Sequence, residues 1–177
     1  LSLFMANSDK IRAGRNRTLT VSEEEIPDLK RIITFPEELS GKSSFVDLLI
    51  NADALTVLDK IPDECASLII IDPHYKFNAM SDNMYEEYLR TWFKKVCDKL
   101  KPDGSLYMCG DWKCSSSQQK VISEELTVIN RITWQREKGR GAKTNWKNAM
   151  EDIWFAVKDK DNYYFDVDSV KMKRQVI

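Results

Sequence analysis

The chain has 177 residues, 42% of them hydrophobic and 31% charged, and its 27 basic and 28 acidic side chains leave a net charge of -1. That length suits one domain with a core of its own, and the charge balance excludes a whole-chain attraction to nucleic acid, so any such contact needs a local cluster. Four cysteines without a Cys-x-x-Cys pair, and His74 as the single histidine, argue against a zinc site, so no metal is expected. No apolar run approaches the ~18 residues that span a bilayer, and Leu1-Ser2-Leu3-Phe4-Met5 is too short for a signal-peptide core. A cytoplasmic protein with reduced, mostly buried thiols and no membrane contact is the expectation.

Residues 1–45 are polar and mixed in charge, with Lys10, Arg12, Arg15 and Arg17 ahead of Ser22-Glu23-Glu24-Glu25. They read as an N-terminal arm holding a capped helix start that Pro27 interrupts. From residue 46 the pattern sharpens. Val46-Asp47-Leu48-Leu49-Ile50 is a short apolar run, and Asn51-Ala52-Asp53 leads into a brief helix over 54–60 that Pro62 closes. Ser67-Leu68-Ile69-Ile70-Ile71 predicts a strand buried on both faces of a parallel sheet. Met84, Tyr88, Leu89, Trp92, Phe93, Val96 and Leu100 fall at helical spacing over 83–100. Lys101-Pro102-Asp103-Gly104 ends that helix, and 105–109 reads as the next buried strand. A helix over 116–125 and strands near 128–134 and 153–157 follow. Strands alternating with helices predict a doubly wound α/β sheet, mostly parallel.

In such a sheet, ligands bind beyond the carboxyl ends of the strands. Asp72-Pro73-His74-Tyr75 stands there, directly after the most apolar strand. Pro73 biases Asp72 to an extended backbone and has no amide hydrogen, which leaves its carbonyl as an acceptor. A carboxylate and a carbonyl directed at one point suit an amino group with two hydrogens, and Tyr75 offers a flat face for a planar ring. The exocyclic amino group of a nucleobase fits this description. Its lone pair is delocalised into the ring, and acceptors on its hydrogens favour a pyramidal, nucleophilic nitrogen. A base in a duplex would have to leave the stack to reach such a pocket. Against this stands a plain alternative: Asp-Pro at a strand end is an ordinary turn signal, and a nearby tyrosine can simply cap a core.

The tetrapeptide resembles the Asp/Asn/Ser-Pro-Pro-Tyr/Phe/Trp element of the amino methyltransferases that act on adenine or cytosine in DNA. The order of segments is similar to the β class of that family: Asn51-Ala52-Asp53, Val57-Leu58, then Leu68 to Tyr75, and then Leu100-Lys101-Pro102-Asp103-Gly104-Ser105-Leu106-Tyr107. Trp134-Gln135-Arg136 and Glu151-Asp152-Ile153-Trp154-Phe155 resemble later segments, so the likeness runs from about residue 46 to 175. It implies a Rossmann-like methyltransferase fold, with 46–177 as the catalytic-motif region and the start of the target-recognition region. It also implies S-adenosyl-L-methionine as cofactor, DNA as substrate, and a restriction–modification setting. By the resemblance, Asp72 and the Pro73 carbonyl hold the target amino group and Tyr75 stacks on the base. Asp53, Ala54 and Asp72 border the cofactor, and Trp134 is a second aromatic wall or a core tryptophan. Aspartate at the head of the tetrapeptide points to adenine-N6, because cytosine-N4 enzymes more often begin with serine.

Two features depart from the family pattern. His74 replaces the second proline, which removes a restraint on the backbone before it and implies weaker activity. The glycine-rich cofactor turn, Phe-x-Gly-x-Gly, is absent before Asp72 and after it, and Gly139-Arg140-Gly141 lies in what reads as a basic, strandless stretch. The pattern therefore reads as an incomplete, permuted enzyme. Three readings stay open: an adenine methyltransferase fragment; an inactive DNA-binding remnant, or a subunit whose partner chain supplies the cofactor site; and a methyltransferase acting on RNA or a protein amide. Arg136, Lys138, Arg140, Lys143 and Lys147, with Trp134, form a basic cluster suited to phosphates and base edges, or else an ordinary solvated loop. Apolar surface left bare by a missing half would favour self-association.

Overall fold

A computed structural model describes residues 21–42, 44–76, 79–140, 144 and 146–171, with the side chains of 137–140 excepted. The first described element is α1 (Ile26–Arg31), which Pro27 opens rather than interrupts. In the first turn of a helix the missing amide costs no bond. Next come β1 (Ile33–Thr34), a 3₁₀ turn over Pro36–Leu39, and β2 (Leu49–Ile50), which pairs parallel with β1. The apolar run from Val46 does not form one continuous strand, because Asp47 sits at φ 56°, a left-handed conformation that breaks the extended path. α2 (Ala54–Leu58) is capped by Asp53, whose Oδ1 accepts from the Leu55 and Thr56 amides at 3.0 and 3.3 Å.

Among the described residues the main sheet has four strands: β3 (Ala66–Ile71), β4 (Leu100–Gly110), β5 (Thr127–Arg140) and β6 (Asn148–Val157), in the order β3-β4-β6-β5. β3 and β4 run parallel and are joined through α3 (Asp82–Lys99), whereas β4/β6 and β5/β6 are antiparallel. The antiparallel half follows from chain economy, since β5 and β6 are consecutive and separated only by residues 141–147. The segment 101–104, expected to end the helix as a turn, is taken into β4. Pairing shifts from Ala66–Leu100 to Leu68–Ser105, so the Pro-Asp-Gly stretch bulges. β5 likewise runs on through Arg140, so the stretch read as strandless is largely strand.

α3 starts at Ser81, whose hydroxyl accepts from the Met84 amide at 3.2 Å. It buries Tyr85, Leu89, Trp92, Phe93, Val96 and Cys97, spacings that form one helical stripe. The expected stripe holds except at its start, where Met84 is 57% exposed and Tyr85 takes the inner place. α3 and α4 (Ser115–Glu125) cover one face of the sheet, packing on Leu106 and Met108 of β4 and on Trp154 and Ala156 of β6. Ile69 and Ile71 of β3 join this core, whereas Leu68 and Ile70 alternate to the opposite side and are 54% and 68% exposed. The expectation that β3 is buried on both faces is therefore corrected: it is an edge strand among the described residues. On the far side Tyr107 and Phe155 stack with ring centroids 4.8 Å apart, and Tyr163 and Phe165 pack on Phe155 from the segment before α5 (Val167–Val170). The architecture is a Rossmann-like α/β sheet whose parallel β3–α3–β4 unit ends at the tetrapeptide. No described helix is long and apolar enough to cross a membrane.

Candidate functional site

The carboxyl end of β3 opens onto a cleft of about 1600 Å³. Asp72, Pro73, His74 and Tyr75 line it on one side, Asp53, Ala54 and Leu55 at the start of α2 on another, and Trp134, Arg136 and Glu151 from the β5/β6 pair on a third. Ile69, Ile71, Trp92 and Val96 add apolar surface. The strand ends where the sequence stops alternating and meets proline, so Asp72 is the first residue free of the ladder. Asp72 is exposed and Tyr75 half-buried, so the carboxylate faces solvent and the ring forms part of the cleft wall.

The electrostatics tie these residues together. Burial pushes the Tyr75 phenol well above the ordinary tyrosine value, and the neighbouring Asp72 and Glu151 carboxylates push it further. Burial also raises the Cys109 thiol, again with Asp72 and Glu151 opposing its ionisation. Two carboxylates thus flank one neutral phenol and one neutral thiol. Glu151 is paired with Arg136 at 2.7 Å, both side chains being largely buried, and Arg136 Nε is buried without a hydrogen-bond partner among the described residues. Trp134 is 57% exposed, which makes it a wall of the cleft rather than a core residue.

The structure therefore brings Asp53, Ala54, Asp72, Pro73, Tyr75, Trp134 and Arg136 to one cleft. Of the expected basic cluster, Arg136 is an ion-paired wall residue and Lys147 is exposed. Lys143 and the side chains of Lys138 and Arg140 lie outside the described residues. Trp146, 96% exposed, stands beside Lys147. Sequence reasoning missed Tyr85, Cys114, Gln118 and Gly110, which lie directly behind the tetrapeptide. Only a polar tip on an otherwise core-facing position could have marked Tyr85, and nothing marked Gln118. Among the described residues no group of three or more His, Cys, Asp or Glu side chains is arranged to hold a metal ion.

For an adenosine-type cofactor the fit is partial. Asp53 already spends one carboxylate oxygen on the α2 cap, and among the described residues no glycine lines the cleft. The described residues thus offer one wall and no backbone cradle, and they do not by themselves complete such a site.

The model of a family described as DNA methylase, covering enzymes of the N6/N4 type, matches residues 66–176. Type II methyltransferase M1.MboII of Moraxella bovis is 32% identical over 123 residues, 65% of this chain and 47% of that protein. DNA adenine methyltransferase YhdJ of Escherichia coli K12 is 30% identical over 131 residues, 69% of this chain and 45% of that protein. The chain thus spans about half the length of these relatives. Among solved structures, the cytosine-N4-specific PvuII DNA methyltransferase superposes with a TM-score of 0.56 at 20% identity, over 67% of this chain and 51% of that one. A Thermus thermophilus protein in complex with S-adenosyl-L-methionine superposes at 0.52 and 18% identity, over 66% of this chain and 55% of that one.

Proposed function

The chain belongs to the N6/N4 DNA methylase family, and on that premise we propose that its cleft receives the exocyclic amino group of adenine in DNA for methylation at N6. The carrying observation is the position of Asp72, solvent-facing at the end of β3, with the Tyr75 phenol lining the same cleft, whose volume of about 1600 Å³ exceeds that of a base. In this reading Asp72 and the Pro73 carbonyl accept the two amino hydrogens. Both contacts strengthen as the nitrogen becomes positive in the transition state, which is where they accelerate transfer. Tyr75 stacks on one face of the ring and Trp134 on the other. A Tyr75 that remains neutral adds no second negative charge beside Asp72. Arg136, held by Glu151 in the cleft wall, borders the edge of the ring. Lys147 and Trp146 contact the strand backbone, a contribution that weakens steeply with salt.

S-adenosyl-L-methionine would supply the methyl group, with Asp53 and Ala54 bordering it. Adenine is preferred over cytosine because aspartate heads the tetrapeptide. One relative is named for adenine and one solved structure for cytosine, so the base itself is part of the proposal. Incubation of the protein with S-adenosyl-L-methionine and unmethylated DNA, followed by mass analysis of the nucleosides, tests it. N6-methyladenine that disappears in Asp72→Ala is the expected result, and N4-methylcytosine alone would refute the choice of base.

A second reading is favoured by the lack of glycine among the described residues of the cleft and by His74 at the family's second proline. In that reading the protein holds the base, and a partner chain provides the cofactor cradle. Calorimetry separates the two: binding of S-adenosyl-L-methionine by this chain alone supports the first, and a flat titration supports the second.

A further inference from the structure

The residues on either side of Tyr75 are held from the core, and the groups that hold them touch one another. Tyr85 on α3 donates its hydroxyl hydrogen to the His74 carbonyl at 3.1 Å. On the other side, the Lys76 amide donates to Sγ of Cys114, the N-cap residue of α4, at 3.1 Å. Gln118, one turn further along α4, ties the Tyr85 anchor to β4. Its Nε2 donates to the Tyr85 hydroxyl at 3.3 Å and to the Cys109 carbonyl at 3.0 Å. Tyr85 is 1% exposed, and Cys114 and Gln118 are fully buried. Gly110 leaves the space that Gln118 fills, since a Cβ there would lie 1.9 Å from Gln118 Oε1.

We infer that Tyr85, Cys114 and Gln118 are positioning residues that set the direction of the Tyr75 ring by clamping the backbone at His74 and Lys76. Tyr75 has two backbone and two side-chain torsions. With the carbonyl before it and the amide after it both fixed, the backbone pair is fixed and only the ring rotamer remains. Core filling alone does not account for the arrangement. Phenylalanine would fill the place of Tyr85, and a buried hydroxyl is tolerated only where it is bonded. Here the Tyr85 hydroxyl and the Cys114 sulfur are both spent on the backbone of one half-buried loop. A stacking ring displaced by ~1 Å loses most of its effect, so such a clamp has a functional return. The inference rests on the nucleobase reading of the cleft but is tested separately from it.

Hydrogen exchange in the full chain reads the clamp at the Lys76 amide. Tyr85→Phe and Cys114→Ala should each speed that exchange about tenfold, the scale of one lost hydrogen bond, while exchange in α3 and β4 stays unchanged. Cys114→Ser, which keeps an acceptor, should restore most of the protection. In parallel, affinity for an adenine-containing single strand should fall about tenfold in Tyr85→Phe and recover in Cys114→Ser relative to Cys114→Ala. If Lys76 exchange is unmoved, or rises only together with the core amides as Tm falls, the residues are structural and the inference is overturned. If the wild-type protein binds no adenine strand, the nucleobase reading fails, and the exchange result still decides the clamp.

Discussion

The two faces of the four-stranded sheet are built to different standards. Beneath α3 and α4, Leu89, Phe93, Leu106, Met108, Ile122 and Ala156 are all fully buried. On the opposite face the edge strands leave Leu68, Ile70 and Ile132 54%, 68% and 42% exposed, and only the centre, at Phe155, is closed over by Tyr107, Tyr163 and Phe165. Successive residues of β3 alternate between these two environments, so one hexapeptide serves both a closed core and an open surface. The difference separates stability from function. The covered face holds the fold together, and the tetrapeptide is mounted where the covered core gives way to the open edge.

The largest effect that would break this comparison is a core truncation. Phe93→Ala should destabilise the chain by about 3–5 kcal/mol, whereas Ile70→Ala, on the open face, should change stability by under about 0.5 kcal/mol. Chemical denaturation of both variants checks this, and equal losses would mean that the open face is also closed in solution. Next in size is Gly110→Ala. The added Cβ meets Gln118, whose amide is held by the Cys109 carbonyl and the Tyr85 hydroxyl, so the cost should be about 1–3 kcal/mol.

A smaller effect concerns the open face itself. An unpaired edge strand carrying apolar side chains favours association. Sedimentation should show concentration-dependent self-association that Ile70→Lys reduces, whereas a monomer at all concentrations would show that the exposed edge is harmless. The smallest effect is in pH. Burial raises both Tyr75 and Tyr85 above the ordinary phenol value. The folded state therefore holds those protons more tightly than the unfolded chain. Their contribution is complete below about pH 10 and is lost as pH rises from there through the raised values. Alkaline denaturation curves should start falling near pH 10, with a shallower slope in Tyr85→Phe.

Much of this could be read before the fold was known, where a residue type has one dominant physical meaning. Asp72-Pro73 marked a strand end because proline cannot continue a ladder, and the spacing of Leu89, Trp92, Phe93 and Val96 marked the inner face of α3. What could not be read depended on long-range pairing. Strand order decides whether Leu68 and Ile70 are covered, and no local pattern reports it. The extension of β5 through Arg140 came from pairing with β6, although glycine and basic residues suggested a loop. Arg136 looked like a free phosphate ligand, but Glu151, fifteen positions away, faces it across the strands and turns it into a wall. Gln118 gave no signal at all, because a glutamine in an amphipathic helix reads as surface until the tertiary fold encloses it.

One comparison of affinities bears most directly on whether Asp72 and the Pro73 carbonyl grip an amino group. Two short single strands, identical except that one carries adenine and the other N6,N6-dimethyladenine, are titrated with the protein and followed by fluorescence anisotropy. Loss of both amino hydrogens should weaken binding about tenfold, the scale of a charge-assisted hydrogen bond, and Asp72→Ala should erase the difference. Equal affinity of the wild-type protein for the two strands would contradict the account.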